Sequence, residues 1–347
     1  MKTTPDNENI LNVEELSVTF HGEDNIYAVT SVSFSIQKEE ALGFVGETGC
    51  GKSVVANSIM GLLPPEASIK GRIFFEGKNL LELSEKEFSK LRGNSISIIF
   101  QTPSLALNPV HPIGKQIAEP LFIHGNENHQ SILGKVSKLL ERMGFVPASK
   151  FMKMYPSQCS GGMNQRFLIA ASSLPEPSFI IADEPTKGLD SGAVKIIAQE
   201  LQQLSKKGTG LMLISHDLNF IRGIVDRIAV MYAGEIVEIA ITEDFFKKPL
   251  HPYSEGLLHS LPEYGFIPIA GMSPAMREKI QGCRFYPRCP YRMEICKTQH
   301  PELQIFGSRN DSSKGSSKNL DLNSRNPCIN NPHISPKNRY VRCFRCP

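Results

Sequence analysis

From Leu11 to about Ala240, short runs of β-branched and aromatic residues alternate with stretches whose apolar positions recur every three or four residues. The first pattern marks strands and the second marks amphipathic helices, so their alternation predicts an α/β domain around a largely parallel sheet. Strands are expected at residues 32–36, 41–45, 71–75, 95–100, 179–182, 211–214 and 227–231. Between residues 100 and 179 the helical signal dominates, with Ile132, Val136, Leu139, Leu140 and Met143 on one helix face. That spacing predicts a helical insert over about 102–175.

Beyond Asp244 the pattern breaks down. Prolines punctuate the chain, and six of the eight cysteines fall after residue 280. The expected organisation is one large domain over 11–261 followed by a small, irregular, cysteine-rich module over 262–347. Residues 308–331 are rich in Ser, Asn, Lys and Asp, and a segment that buries so little apolar surface is expected to be disordered.

Composition narrows the function classes. With 38 basic and 35 acidic residues in 347, the net charge of +3 gives no field that favours nucleic acid. The first ten residues are polar, without the apolar core of a signal peptide, and no run of about 18 uncharged apolar residues occurs. The expectation is a chain that does not span a bilayer by itself and whose thiols are reduced in the cytosol.

The chemistry begins at Gly46-Glu47-Thr48-Gly49-Cys50-Gly51-Lys52-Ser53, which follows the apolar run 41–45 and opens a helical run at 54–63. This is the GxxxxGK[ST] pattern in its required strand-loop-helix setting. Backbone N–H groups of the glycine-rich loop curl around phosphates, and the helix N-terminus adds a favourable field. Lys52 is expected to reach the β- and γ-phosphates and Ser53 to ligand Mg²⁺. At the usual glycine frequency the pattern arises by accident in roughly one chain in a hundred of this length, so the context carries much of the weight. Cys50 reads as a small loop residue rather than a nucleophile.

The apolar strand 179–182 ends in Asp183-Glu184, at the edge where open α/β sheets bind ligands. Asp183 is the candidate Mg²⁺ residue, and Glu184 the group that orients and activates an attacking water. Asp-Glu-Pro is also ordinary helix-start chemistry, so this pair gains its meaning from the phosphate loop. The run 211–214 ends in Ser215-His216-Asp217, which puts an imidazole on the same edge.

Together with Ser160-Gly161-Gly162-Met163-Asn164-Gln165-Arg166, these motifs resemble the ATP-binding cassette family over about residues 11–261. The resemblance implies a P-loop ATPase with a helical subdomain. Ser160, Gly161, Gly162 and Met163 match the signature, which acts on the ATP of a partner subunit. Gln101 resembles the Q-loop residue that senses Mg²⁺ and water, Gly188-Leu189-Asp190 resembles the D-loop, and His216 resembles the switch histidine at the γ-phosphate. Phe20, with Tyr27 second, is the candidate for stacking on adenine. One set of motifs implies a dimer with an identical or paralogous ATPase subunit, docked on two membrane permeases at the cytoplasmic face of the membrane. An extracytoplasmic substrate-binding protein would be an indirect partner.

Gln101 is followed by Thr102-Pro103-Ser104-Leu105-Ala106-Leu107-Asn108-Pro109, which is similar to the oligopeptide and dipeptide importer branch. So are His251-Pro252-Tyr253-Ser254 and the stretch Gly282-Cys283-Arg284-Phe285-Tyr286-Pro287-Arg288-Cys289-Pro290. Peptide uptake is therefore expected, with nickel or another small solute as the alternative cargo. By the same resemblance Cys283, Cys289, Cys296 and Cys343 match the ligands of a [4Fe–4S] cluster, with zinc as the alternative occupant and Cys346 or Cys328 as alternatives to Cys343. The rival function classes are a soluble ATPase of nucleic-acid or ribosome processes, which would carry long insertions or two cassettes, and a sensing module without ATP turnover. Cys159, Asn164 and Lys187 depart from the family pattern.

Overall fold

The computed structural model describes residues 9–277, 280–306 and 338–345. The segment expected to be disordered, 308–331, and the alternative ligands Cys328 and Cys346 lie outside the described residues.

In chain order the strands are β1 (Asn9–Phe20), β2 (Ile26–Gln37), β3 (Ala41–Val45), β4 (Ala67–Phe75), β5 (Lys78–Asn79), β6 (Ile96–Ile99), β7 (Phe179–Asp183), β8 (Gly210–Ile214), β9 (Arg227–Tyr232), β10 (Glu235–Ile241), β11 (Gln304–Phe306) and β12 (Arg339–Val341). Among the described residues they form two sheets. The larger has the order β11-β12-β10-β9-β3-β8-β7-β6, and the smaller β2-β1-β4-β5. The larger sheet is parallel from β9 through β6 and antiparallel across β9, β10, β12 and β11. The smaller is antiparallel throughout. The expectation of a largely parallel sheet thus holds for the central five strands, while a second, antiparallel sheet lies outside it.

The parallel strands are buried on both faces, which is why they read as continuous apolar runs. Their side chains still divide by the period of two. In β8, Leu211 and Leu213 join one core while Met212 and Ile214 join the other, and in β7, Ile180 and Ala182 separate in the same way from Phe179 and Ile181. One core lies against the smaller sheet and the helix Lys52–Ile59, the other against the helical layer.

Between β6 and β7 the chain forms the helices Pro103–Ala106, Ile113–His124, His129–Arg142, Ala148–Met152 and Gly161–Ser173. His129–Arg142 buries the expected Ile132, Val136, Leu139 and Leu140, and Met143 is fully buried just past its end. Asn128 caps its start, accepting from the Ser131 N–H at 2.8 Å. Its last residue, Arg142, donates to Glu200 at 3.0 Å and 2.5 Å, tying the insert to the helix Ser191–Lys206.

Among the described residues after 262, helices and strands are short, and β11 and β12 extend the edge of the larger sheet beyond β10. The buried carboxylate of Glu238 fastens this edge. It accepts from the N–H groups of Leu250 (3.0 Å) and His251 (2.8 Å) and from Arg339 Nη2 (2.8 Å). No helix among the described residues is long and apolar enough to cross a membrane.

Candidate functional site

The sheet order β3-β8-β7-β6 brings four sequence-predicted segments to one edge. The phosphate loop leaves β3, His216 follows β8, Asp183 and Glu184 end β7, and Gln101 follows β6. All lie past the C-terminal ends of parallel strands, where an open α/β sheet offers a crevice.

The loop's path depends on glycine at two positions. Gly46 has φ 149°, and a Cβ there would sit 2.1 Å from the Met231 carbonyl oxygen. Gly51 has φ 107°, and its Cβ would meet the Ala28 carbonyl oxygen at 2.5 Å. Any side chain would push the loop off the sheet edge. Gly51 also precedes the helix Lys52–Ile59 without a side-chain hydrogen bond, so no capping side chain occupies its first-turn N–H groups.

Lys52 is buried, and its Nζ donates to the carbonyls of Gly46 (2.8 Å) and Glu47 (3.0 Å), which folds the loop around its own cation. Cys50 Sγ lies 3.6 Å from the same Nζ, yet burial pushes the thiol pKa up, in keeping with an uncharged loop residue. Thr48, Gly49 and Ser53 are exposed.

Asp183 is nine-tenths buried and hydrogen-bonded by the Ser53 hydroxyl. Burial raises its pKa against that hydrogen bond, and the neighbouring Glu184 charge raises it further. Its Oδ1 is buried without a hydrogen-bond partner, an arrangement that suits a cation beside Ser53. Glu184 adopts the left-handed conformation, φ 49°, with its N–H bonded to the Ile214 carbonyl at 2.9 Å. For a non-glycine residue this costs of order 1–2 kcal/mol, a strain typical of functional positions. Glu184 Oε2 lies 2.7 Å from His216 Nδ1, and the imidazole is otherwise well exposed.

Gln101 is exposed, and Phe20 is half-buried at the end of β1, packed against the core. Ser160 and Gly161 are exposed at the start of Gly161–Ser173, where Ser160 Oγ accepts from the Met163 N–H at 3.3 Å. A Cβ on Gly162 would lie 3.4 Å from Leu189 Cδ2, so the signature turn packs against the D-loop segment. Asp190 caps Ser191–Lys206, accepting from the Ala193 N–H at 2.9 Å.

Cys283, Cys289, Cys296 and Cys343 all line one cavity, whose walls include Phe285 and Tyr291. Burial pushes the Cys283 thiol up to about 12 and raises that of Cys289. Among the described residues no three or more His, Cys, Asp or Glu side chains are grouped as a metal-ion site.

Sequence reasoning missed the residues that hold the phosphate loop from outside. Arg288 forms a two-pronged ion pair with Glu47 (Nη1–Oε2 3.0 Å, Nη2–Oε1 2.9 Å), Ser273 Oγ donates to the same carboxylate, and Tyr253 Oη accepts from the Glu47 N–H at 2.9 Å. Burial works to raise the Glu47 pKa, but the bonds from Arg288 and Ser273 and the nearby cations outweigh it and hold the carboxyl below its usual range. Tyr253 and Arg288 both lie in stretches that stand out in the sequence, but nothing in their spacing points to residue 47.

The pattern of the ABC transporter family matches residues 29–187, and that of the oligopeptide/dipeptide transporter C-terminal region matches residues 237–296. The chain is 41% identical over 304 residues to the oligopeptide transport ATP-binding protein OppD of Escherichia coli (strain K12), covering 86% of this chain and 90% of that protein. It is 41% identical over 308 residues to the dipeptide transport ATP-binding protein DppD of Bacillus subtilis (strain 168), covering 86% and 92%. Among solved structures it resembles the ATP-binding cassette MJ0796, dimeric and bound to ADP and Pi in a post-hydrolysis state. There the TM-score is 0.61 at 27% identity, covering 67% of this chain and 98% of that one.

Proposed function

The chain belongs to the ABC transporter family, and from that premise we propose how its residues work as the ATP-hydrolysing subunit of a peptide importer. It binds and hydrolyses ATP and powers the uptake of dipeptides or oligopeptides; its relatives are named as dipeptide and oligopeptide transport ATP-binding proteins. It works as a dimer with an identical or paralogous subunit, against two membrane permeases at the cytoplasmic face of the membrane.

In this reading the start of Lys52–Ile59, free of a side-chain cap, and the loop's N–H groups cradle the phosphates, and Lys52 turns from the Gly46 and Glu47 carbonyls to the β- and γ-oxygens. Ser53, Asp183 and Gln101 would hold Mg²⁺, which would supply charge neutralisation at the phosphates. Glu184 orients the attacking water and takes its proton. His216, at 2.7 Å, fixes the Glu184 rotamer and reaches the γ-phosphate. Ser160–Met163 and Asp190 face the ATP of the partner subunit, and Phe20 stacks on adenine. The observation that carries this reading is the convergence of Lys52, Asp183, Glu184 and His216 past the ends of three adjacent strands. The test is uptake of a labelled peptide into vesicles holding the permeases, this subunit and its partner. Uptake should need ATP and vanish in Lys52→Ala; uptake independent of ATP would refute the reading.

The four cavity-lining cysteines are assigned here to a [4Fe–4S] cluster, with zinc as the competing occupant. Support comes from their convergence on one cavity and from an all-thiol donor set. When bound, the cluster supplies four iron–thiolate bonds that crosslink the segment 283–296 to residue 343. Bound iron would also favour the thiolate forms of Cys283 and Cys289 against the burial that pushes both thiols up. Anaerobic purification followed by iron, sulfide and zinc analysis tests this. About four irons per chain with broad absorbance near 400 nm are expected, and stoichiometric zinc would replace the cluster in the assignment.

A further inference from the structure

The phosphate loop of this chain carries a carboxylate, Glu47, next to the place where a polyanionic ligand must sit. Its position alone would weaken binding, because like charges repel and a partly buried carboxylate is poorly screened. The structure answers this with a residue 241 positions away. Arg288 presents both Nη atoms to the two Glu47 oxygens at 3.0 Å and 2.9 Å, and its side chain is 5% exposed against 30% for Glu47.

The guanidinium is itself firmly set. Its Nε donates to the Ala270 carbonyl at 2.9 Å, Nη1 lies 3.4 Å from Tyr232 Oη, and the group rests over the Tyr232 and Phe285 rings at 5.7 Å and 5.9 Å. Such a planar fork on a carboxylate fixes direction as well as charge. Ser273 Oγ donates to the same carboxylate, and Tyr253 fixes the backbone N–H of Glu47, so side chain and backbone are both held by groups outside the loop.

Arg288 ends the short turn Tyr286–Arg288, which lies between Cys283 and Cys289 of the thiol-lined cavity. A second arginine in the same stretch, Arg284, donates to the Ala233 carbonyl and to Thr30 Oγ1 (3.0 Å), and pairs with Glu235 at 3.0 Å. The residue after Ala233, Gly234, donates its N–H to the Cys50 carbonyl at 2.9 Å. The cysteine module therefore grips the phosphate loop at Glu47 directly and at Cys50 through one intervening turn.

We propose that Arg288 is a positioning residue of the nucleotide site: it neutralises Glu47 and holds it clear of the phosphates, so that ATP affinity depends on the cysteine module keeping this fork in place. The proposal rests on the ATPase reading above. The triphosphate charge is present before and during hydrolysis, so the fork acts on binding in both, and its loss raises KM and Kd more than it lowers kcat. Any change that displaces the turn Tyr286–Arg288 reaches the loop by this route.

The test is Mg-ATP affinity of the isolated full chain by calorimetry, with steady-state hydrolysis beside its partner subunit. Arg288→Ala should weaken ATP about tenfold or more, the size expected for a carboxylate stripped of a charge-assisted pair. Arg288→Lys, which keeps a charge but not the fork, should fall between. The decisive variant is Glu47→Gln in the Arg288→Ala background. Removing the uncompensated carboxylate should return affinity to within about threefold of the parent chain, whereas a purely structural loss would persist. If Arg288→Ala binds ATP as the parent does, or the double variant binds no better than Arg288→Ala, the proposal is overturned. Should Arg288→Ala not fold, the same comparison in Arg288→Lys decides. A parent chain that binds no Mg-ATP would instead refute the ATPase reading itself.

Discussion

Replacing Glu184 with Gln removes one charge and almost nothing else. The two side chains have the same shape, so the left-handed backbone at φ 49° is no more strained than before. A Gln amide can still bond the imidazole that lies 2.7 Å from Oε2. The cost to folding is expected to stay under about 1 kcal/mol. Nucleotide affinity should hold or improve. Asp183 is pushed up by burial and, beyond the opposing Ser53 bond, by the Glu184 charge; taking that charge away leaves Asp183 easier to ionise beside a cation. Only the chemical step should suffer, because Gln accepts no proton from water. A positioned base contributes on the order of 10²–10⁴ in rate, which is about 3–5 kcal/mol at 1.36 kcal/mol per decade. The assay is phosphate release by the subunit with its partner, run beside gel filtration with Mg-ATP. A drop of at least about a hundredfold, with an ATP-bound dimer that persists through the column, is expected. Turnover within about threefold of the parent would show that Glu184 does not serve the water.

Other expectations follow from the packing. Gly51→Ala must move either the loop or the Ala28 carbonyl, which lies 2.5 Å from the new Cβ; calorimetry should find ATP binding lost along with a lowered melting temperature. Glu238→Ala removes the buried carboxylate that Arg339 and the N–H groups of Leu250 and His251 share, so urea unfolding should show a loss of about 3–5 kcal/mol. Phe285→Ala empties a buried position in contact with the rings of Tyr232 and Tyr253, at a cost of about 3–5 kcal/mol by the same method, and should loosen the turn that carries Arg288. Asp190→Ala removes the cap of Ser191–Lys206 and should lower the melting temperature in calorimetry.

Local grammar makes much of the site readable from the chain itself. The loop Gly46–Ser53 declares itself because a tight phosphate cradle needs glycines at fixed steps between a strand and a helix. Asp183, Glu184 and His216 are legible because each ends a continuous apolar run, and strand ends of parallel sheets face the ligand crevice. The smaller sheet is legible only in part. Repeated register shifts between β1 and β2 break the strict alternation that would announce the full length of both strands.

What the sequence by itself determined is the identity and order of the chemical groups, since these depend on neighbours a few residues apart. Tertiary structure alone decided which distant groups meet. The pairing of β10 with β12, which carries residues 339–341 onto the main sheet, and the fork from Arg288 to Glu47 have no local signature. Each joins positions roughly a hundred or more residues apart, so neither meeting can be read from neighbouring residues. A charge pair of that kind is set by the fold, because a lone glutamate in a loop and a lone arginine in a turn read alike whether or not they ever touch.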